Sequence, residues 1–181
     1  MGDLTFIRDI TLRGILEDAI EYISALYKRS KSIDENALYQ QETYRVIILY
    51  VISAIEAILF YFYKTRKESM TYTDYKFVSP LLPEYRHSER TDAPVVVAVQ
   101  LKVEKDDHQI GLHDLVQFFK EKGLVRKETA EDILEMNEVR NTFHFNKPRS
   151  QEKVCDIARV EKALGLLLHT IENAPRALST R

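Results

Sequence analysis

Apolar residues recur at three- and four-residue steps through the first part of the chain, at Leu16, Ala19, Ile20, Ile23, Leu26 and Tyr27. That spacing predicts an amphipathic helix from about Leu4 to Lys31. Lys28, Arg29 and Lys31 close it, because cations favour the carbonyl end of a helix. Residues 32–36 form a polar break in which Asp34 is a candidate N-cap for the next helix. That helix is expected from about Glu35 to Glu68. Two long helices joined by so short a loop should pack antiparallel.

The pattern then changes period. Residues 71–78, TYTDYKFV, alternate aromatic and hydroxyl side chains as a strand does. Pro80 and Pro83 interrupt it, and residues 84–92, EYRHSERTD, read as a polar loop. Pro94 opens VVVAVQLKV, a second predicted strand that ends at Val103, and residues 105–108, KDDH, read as a turn. Residues 71–110 are therefore expected to be a β-hairpin or small sheet inserted in a helical domain, with an irregular arm as the alternative.

Helical spacing returns at Leu112–Lys122, which Gly123 should stop. Thr129, with Asp132 three residues on, approximates a capping box for a further helix to about Phe145, ended by Pro148. Ser150 is the expected cap of a last helix from Gln151 to Asn173, ended before Pro175. Its stripe comprises Val154, Ile157, Val160, Leu164, Leu167, Leu168 and Ile171. The residues after Pro175 are expected to fray. The chain thus reads as mainly α, a single helical domain over 1–181, without internal repeats or low-complexity tracts.

Residues 46–63, VIILYVISAIEAILFYFY, approach the length needed to cross a bilayer. Glu56 near the centre would cost about 2.5–3.5 kcal/mol there. Tyr44, Tyr50, Tyr61 and Tyr63 add hydroxyls. The better reading is the central helix of a soluble bundle, apolar all round because neighbours cover each side. No membrane association is expected. The N-terminus lacks the apolar core and cleavage site of a signal peptide, which fits a cytoplasmic protein.

Composition narrows the function classes. The 181 residues carry 26 Lys and Arg against 28 Asp and Glu, a net charge of −2. Balanced charge disfavours a broad, sequence-blind nucleic-acid surface, since such binding runs on release of counterions by many cations. It leaves room for a local basic cleft. One cysteine excludes an internal disulfide framework or a Cys-rich zinc site. No phosphate-binding loop, dinucleotide fingerprint, G-x-S-x-G or H-E-x-x-H occurs. His108 and His113, with Asp106, Asp107 and Asp114, are badly spaced for a helical metal pair. His87 and His169 read as isolated. Cys155 reads as a small core residue on the last helix. No cofactor and no metal are expected.

The informative stretch is residues 138–145, EVRNTFHF. On a helix, Ile133, Met136, Val139 and Phe143 form an apolar arc. Arg140 and His144 meet at its edge, Asn137 lies just beyond, and Asn141 a little further round. Such a group belongs at the rim of a cleft or a subunit interface. Arg offers a permanent charge and a fork of donors matched to phosphate oxygens. His can carry a proton near neutrality. Cleaving RNA needs little more, because the 2′-OH is an internal nucleophile. The structural alternative pairs Arg140 with Glu138 or a neighbouring helix and lets His144 cap the helix end.

A long apolar helix with an internal Ala-Ile-Glu-Ala (Ala54 to Ala57), a later helix carrying Glu-Val-Arg-Asn before a His, and a final amphipathic helix together resemble the HEPN superfamily. These are helical bundles, many of them prokaryotic ribonucleases of toxin–antitoxin and phage-defence systems. Arg140 and Asn141 match the family's Arg-polar pair, while His144 follows at a closer spacing than is usual. The resemblance covers roughly residues 1–70 and 111–174. It implies a four- to five-helix bundle that pairs as a homodimer, with both Arg-His motifs facing one cleft. It further implies metal-independent RNA cleavage leaving a cyclic phosphate. Arg140 would hold the phosphate, His144 would handle the proton and Asn141 would orient them. Glu56 would project toward the motif from the second helix. Asn137, Lys147 and Arg149 would complete the RNA contacts, and an antitoxin or other partner protein would be expected. The alternative is a non-catalytic HEPN-like module in which the motif only fixes the dimer.

Overall fold

The computed structural model describes residues 3–31, 37–66, 68–77, 86–87, 90–94, 98–143 and 155–179. The side chains of residues 86–87, 90–94 and 174–179 are left undescribed. The described residues are mainly helical, with a small antiparallel β component. The chain divides into two compact units, Met1–Lys67 with Gly111–Arg181, and Glu68–Ile110.

In the first unit, α1 spans Ile10–Ser30. Asp9 caps it, its Oδ1 accepting the Leu12 N–H at 3.0 Å. The helix starts later than its apolar spacing predicts. Ahead of Asp9 the chain makes a turn closed by the Ile7 N–H on the Leu4 carbonyl, 2.9 Å, with the Asp3 carboxylate accepting from Thr5. Leu4 and Ile7 are nonetheless buried, so core residues of the segment precede the helix rather than belong to it.

Helix α2 spans Ala37–Arg66 and runs antiparallel to α1. The Arg8 N–H donates to the Tyr61 hydroxyl at 2.9 Å, the Tyr22 and Tyr50 rings lie 5.2 Å apart, and Gln40 Nε2 donates to the Ser30 carbonyl at 3.1 Å. Partners on α2 thus fall in number as those along the α1 side rise.

Helix α3 is Leu112–Glu121, and Gly123 follows with φ +70°. That conformation lets the Leu124 and Val125 N–H groups turn back onto the Phe119 carbonyl at 2.9 and 3.2 Å. Helix α4 spans Lys127–Asn141 with Arg126 at the N-cap position, so Thr129 lies inside the helix instead of capping it. It ends at Asn141 rather than Phe145. Thr142 closes it, its hydroxyl donating to the Val139 carbonyl at 2.7 Å. Helix α5 is Ile157–Ser179. The Asp156 carboxylate accepts the Arg159 N–H at 2.9 Å and supplies the cap expected of Ser150. Ser150, like Gln151 and Val154, lies outside the described residues, as does Asp34. The helix continues through Pro175. A proline removes one N–H from the ladder, and here the turns on either side carry on.

Helix α2 packs against α1, α3, α4 and α5, which accounts for its apolar perimeter. Ile47, Ile48, Val51, Ile52, Ile55 and Ile58 are fully buried. Tyr63 meets Phe118 of α3 edge-on at 5.4 Å. Among the described helices α2 alone is long and apolar enough to cross a membrane, and 56% of its apolar window is buried inside the protein. Those contacts are those of the central helix of a bundle.

In the second unit, β1 (Thr71–Phe77) pairs antiparallel with β4 (Ala98–Glu104), from Thr71 opposite Glu104 to Phe77 opposite Ala98. Two short strands, β2 (Arg86–His87) and β3 (Arg90–Pro94), pair with each other; β2 and most of β3 fall in the segment that reads as a polar loop, and Pro94 ends β3 instead of opening the next strand, which begins at Ala98. Their composition carries no alternation of apolar and polar positions, which is why no strand is legible there. The expected turn after β4 contains a short 3₁₀ helix, Asp107–Gln109.

Candidate functional site

The C-terminal turns of α4 carry both faces that their sequence separates. Ile133, Met136 and Val139 are fully buried against the other helices. Arg140 sits at the edge of that stripe, its side chain 20% exposed, and its Nη1 donates to Oε2 of Glu56 at 2.8 Å. Glu56, 31% exposed, is the acid of Ala-Ile-Glu-Ala on α2. It thus interrupts the apolar perimeter of α2 at a place where a cation from α4 meets it. A carboxylate moved from water to such a place needs that partner, because desolvation disfavours its charge. Arg140 also lies in the last turn of α4, where the helix dipole favours a cation.

Arg45, which the sequence reading does not single out, belongs to the same face of α2. Eleven residues separate it from Glu56, about three helical turns. Its guanidinium lies 5.7 Å from the Phe143 ring centroid, a cation–π distance, and its Nη1 meets Oε1 of Glu42 at 2.7 Å. The signal was available in the sequence: a basic residue at the border of the apolar run, in helical register with the acidic residue inside it.

Cys155 completes this end of the bundle. It precedes α5 rather than lying on it, and it is buried. Burial holds its thiol above the ordinary range, while the nearby Arg45 charge pulls the other way. A thiol so placed is packing rather than a nucleophile.

Asn137, one turn before Arg140, has its Oδ1 buried with no hydrogen-bond partner among the described residues. Asn141 is half-buried at the last position of α4. The structure therefore brings Arg140 to Glu56 and sets Asn137 and Asn141 on the same terminal turns of α4. His144, Lys147 and Arg149 lie outside the described residues. The formal charges of Glu42, Arg45, Glu56 and Arg140 cancel, so the described part is a paired network and not a basic patch.

The remaining candidates have other roles. The Asp114 carboxylate accepts the Gly111 N–H at 3.2 Å, and the Asp106 N–H donates to Gln109 Oε1 at 2.9 Å. The first contact closes the start of α3 and the second the start of the short 3₁₀ helix. Among the described residues no group of three or more His, Cys, Asp or Glu is arranged to hold a metal ion. His169 on α5 is bonded to Asn173, whose Nδ2 lies 3.2 Å from its Nδ1 and donates to its carbonyl at 2.7 Å. His169 lines a small, mostly apolar cavity with Leu59, Phe62, Phe119, Thr129 and Ile133.

Comparison with protein-family models, with curated proteins and with solved structures gives no significant match.

Proposed function

We propose that this chain is a HEPN-like, metal-independent endoribonuclease that works in the cytoplasm as a homodimer, in a toxin or phage-defence setting. The observation that supports it is the 2.8 Å contact between Arg140 and Glu56, made at the edge of the buried α4 stripe. A guanidinium carries five donors. One arm held by Glu56 fixes the plane of the fork and leaves it aimed for a bidentate grip on a phosphate. Arg140 then holds the scissile phosphate and stabilises its developing charge. His144 takes the 2′-OH proton and returns one to the leaving 5′-oxygen, giving a cyclic phosphate. Asn141 orients the pair, and Asn137, Lys147 and Arg149 contact the RNA strand. No metal is needed, because the nucleophile is the substrate's own hydroxyl.

The same contact supports a second reading, a non-catalytic HEPN-like module in which the ion pair ties α4 to α2 and fixes an interface. One assay separates them. Purified protein is incubated with mixed RNA in chelator, comparing wild type with Arg140→Ala, His144→Ala and Glu56→Gln. The ribonuclease reading expects cyclic-phosphate ends from wild type. It expects a loss of at least about a hundredfold in the Arg140 and His144 variants, with fold and oligomeric state retained. Absence of cleavage by wild type, or cleavage undiminished in His144→Ala, overturns it in favour of the module.

A further inference from the structure

The edge of β1 that faces away from β4 carries a pattern that the ribonuclease reading does not use. The phase of the β1–β4 ladder is fixed by the Lys105 N–H, which donates to the Met70 carbonyl at 2.8 Å directly opposite it. In an antiparallel pair such bonded positions alternate. Residues 72, 74 and 76 therefore aim their backbone groups at β4, and 71, 73, 75 and 77 aim theirs away. Among the described residues the Tyr75 N–H accordingly meets no strand. It donates to its neighbour's Oδ1, Asp74, at 2.8 Å. Among the described residues nothing else pairs along this edge, since each sheet has two strands.

Every residue of β1 is exposed, with Tyr75 at 57% and Phe77 at 67%. On the opposite face, Val99 and Leu101 of β4 are exposed beside Tyr72. A two-stranded ribbon with apolar groups on both faces is marginal alone and gains from further strands. An open edge is also a template for another chain.

We propose that this edge pairs antiparallel with the same edge of a second copy, on a two-fold axis through Tyr75. Charge decides the register. Centring on Asp74 or on Lys76 sets like charges face to face, which is destabilising. Centring on Thr73 leaves both charges without an opposite number. Centring on Tyr75 sets Asp74 against Lys76 of the second copy twice over. It also makes Tyr75 a bonded pair with its own copy and sets Thr73 opposite Phe77. Asp74 releases the Tyr75 N–H to the new strand and meets the lysine instead. The product is a four-stranded sheet in the order β4-β1-β1-β4, isologous as a two-fold contact must be. The inference is independent of the RNA reading, and the bundle takes no part in it.

The test uses the full chain. In sedimentation at high micromolar concentration, Asp74→Lys and Lys76→Asp should each weaken self-association on the order of tenfold or more. Mixing the two variants should restore it, because a strand with lysine at both positions then faces one with aspartate at both. Spin labels place the interface in a Cys155→Ala background. Labels at Phe77 should report backbone positions about 14 Å apart, and labels at Thr71 about 27 Å apart, at about 3.4 Å per residue from the axis. A monomeric wild type, single variants that associate like wild type, a mixture that fails to recombine, or label distances without this difference would each overturn the proposal.

Discussion

Glu56 and Arg140 stand 84 residues apart in the chain and 2.8 Å apart in space. The contact joins α2 to α4 at the one place where the central helix presents a charge inside its apolar run. Both side chains are half-buried, so the pair is worth more than a surface bridge and less than a fully buried one. Arg140→Ala should cost about 1–2 kcal/mol in urea titrations, most of it from stranding the carboxylate. Arg140→Met with Glu56→Leu should recover most of that loss, since an apolar pair leaves nothing unsatisfied. Costs that simply add in the double variant would show that the two residues do not interact.

Cys155 gives a pH dependence whose sign follows from burial. In the unfolded chain the thiol ionises near its ordinary value of 9.0, and in the folded chain only at higher pH. Below the ordinary value both states keep the proton and Cys155 is neutral in the balance. Above it the unfolded state loses the proton first, so folding stability falls, by at most about 1.4 kcal/mol per pH unit. Lys162, held by Asp132 and Glu135 and titrating above its ordinary range, adds a loss at still higher pH. Cys155→Ala should remove the first component and keep the second. The check is the difference in denaturation midpoint between the two proteins, which should narrow from pH 8 to pH 10.

The fully buried Ile52 and Met136 belong to the faces that α2 and α4 turn to the core. Replacing either with Ala should destabilise by about 2–5 kcal/mol, through lost transfer energy and the cavity left behind. Tyr75→Ala on the exposed ribbon should change the unfolding free energy of the bundle by less than about 0.5 kcal/mol. Equal effects at the two kinds of site would contradict the division between core and ribbon.

Gly123 adopts φ +70° in a turn that returns two N–H groups to Phe119. Nothing crowds the position where a Cβ would stand, so the cost of Gly123→Ala is conformational alone. About 1 kcal/mol is expected, with Gly123→Asn losing less because Asn tolerates that region. Thermal unfolding of the two variants measures the difference.

The legible features are those carried by local periodicity and turn chemistry. Helical spacing of apolar residues finds all five described helices. The alternation in TYTDYKFV finds β1, and the later part of the strand predicted through Val103 finds β4. Gly123 marks its turn by the lack of a Cβ. Helix starts are less legible. Ser, Thr and Asp are all competent caps, and choosing among them depends on where the preceding chain enters, which is why α1 starts at Asp9 and not near Leu4, α4 starts at Arg126 ahead of Thr129, and Asp156 caps α5.

The candidate site divides in the same way. Residue type and spacing along one helix identify Arg140 with Asn137 and Asn141 at the border of an apolar arc, and they mark Glu56 as a charge inside an apolar run. That these two meet, and that Arg45 rises over Phe143 from the same face of α2, depends on how α4 is rotated and offset against α2. Those quantities come from side-chain packing across the interface, summed over many contacts far apart in sequence. No local pattern encodes them. The chain's own periodicity determines which faces must be buried; only the packed bundle decides which charges those faces bring together.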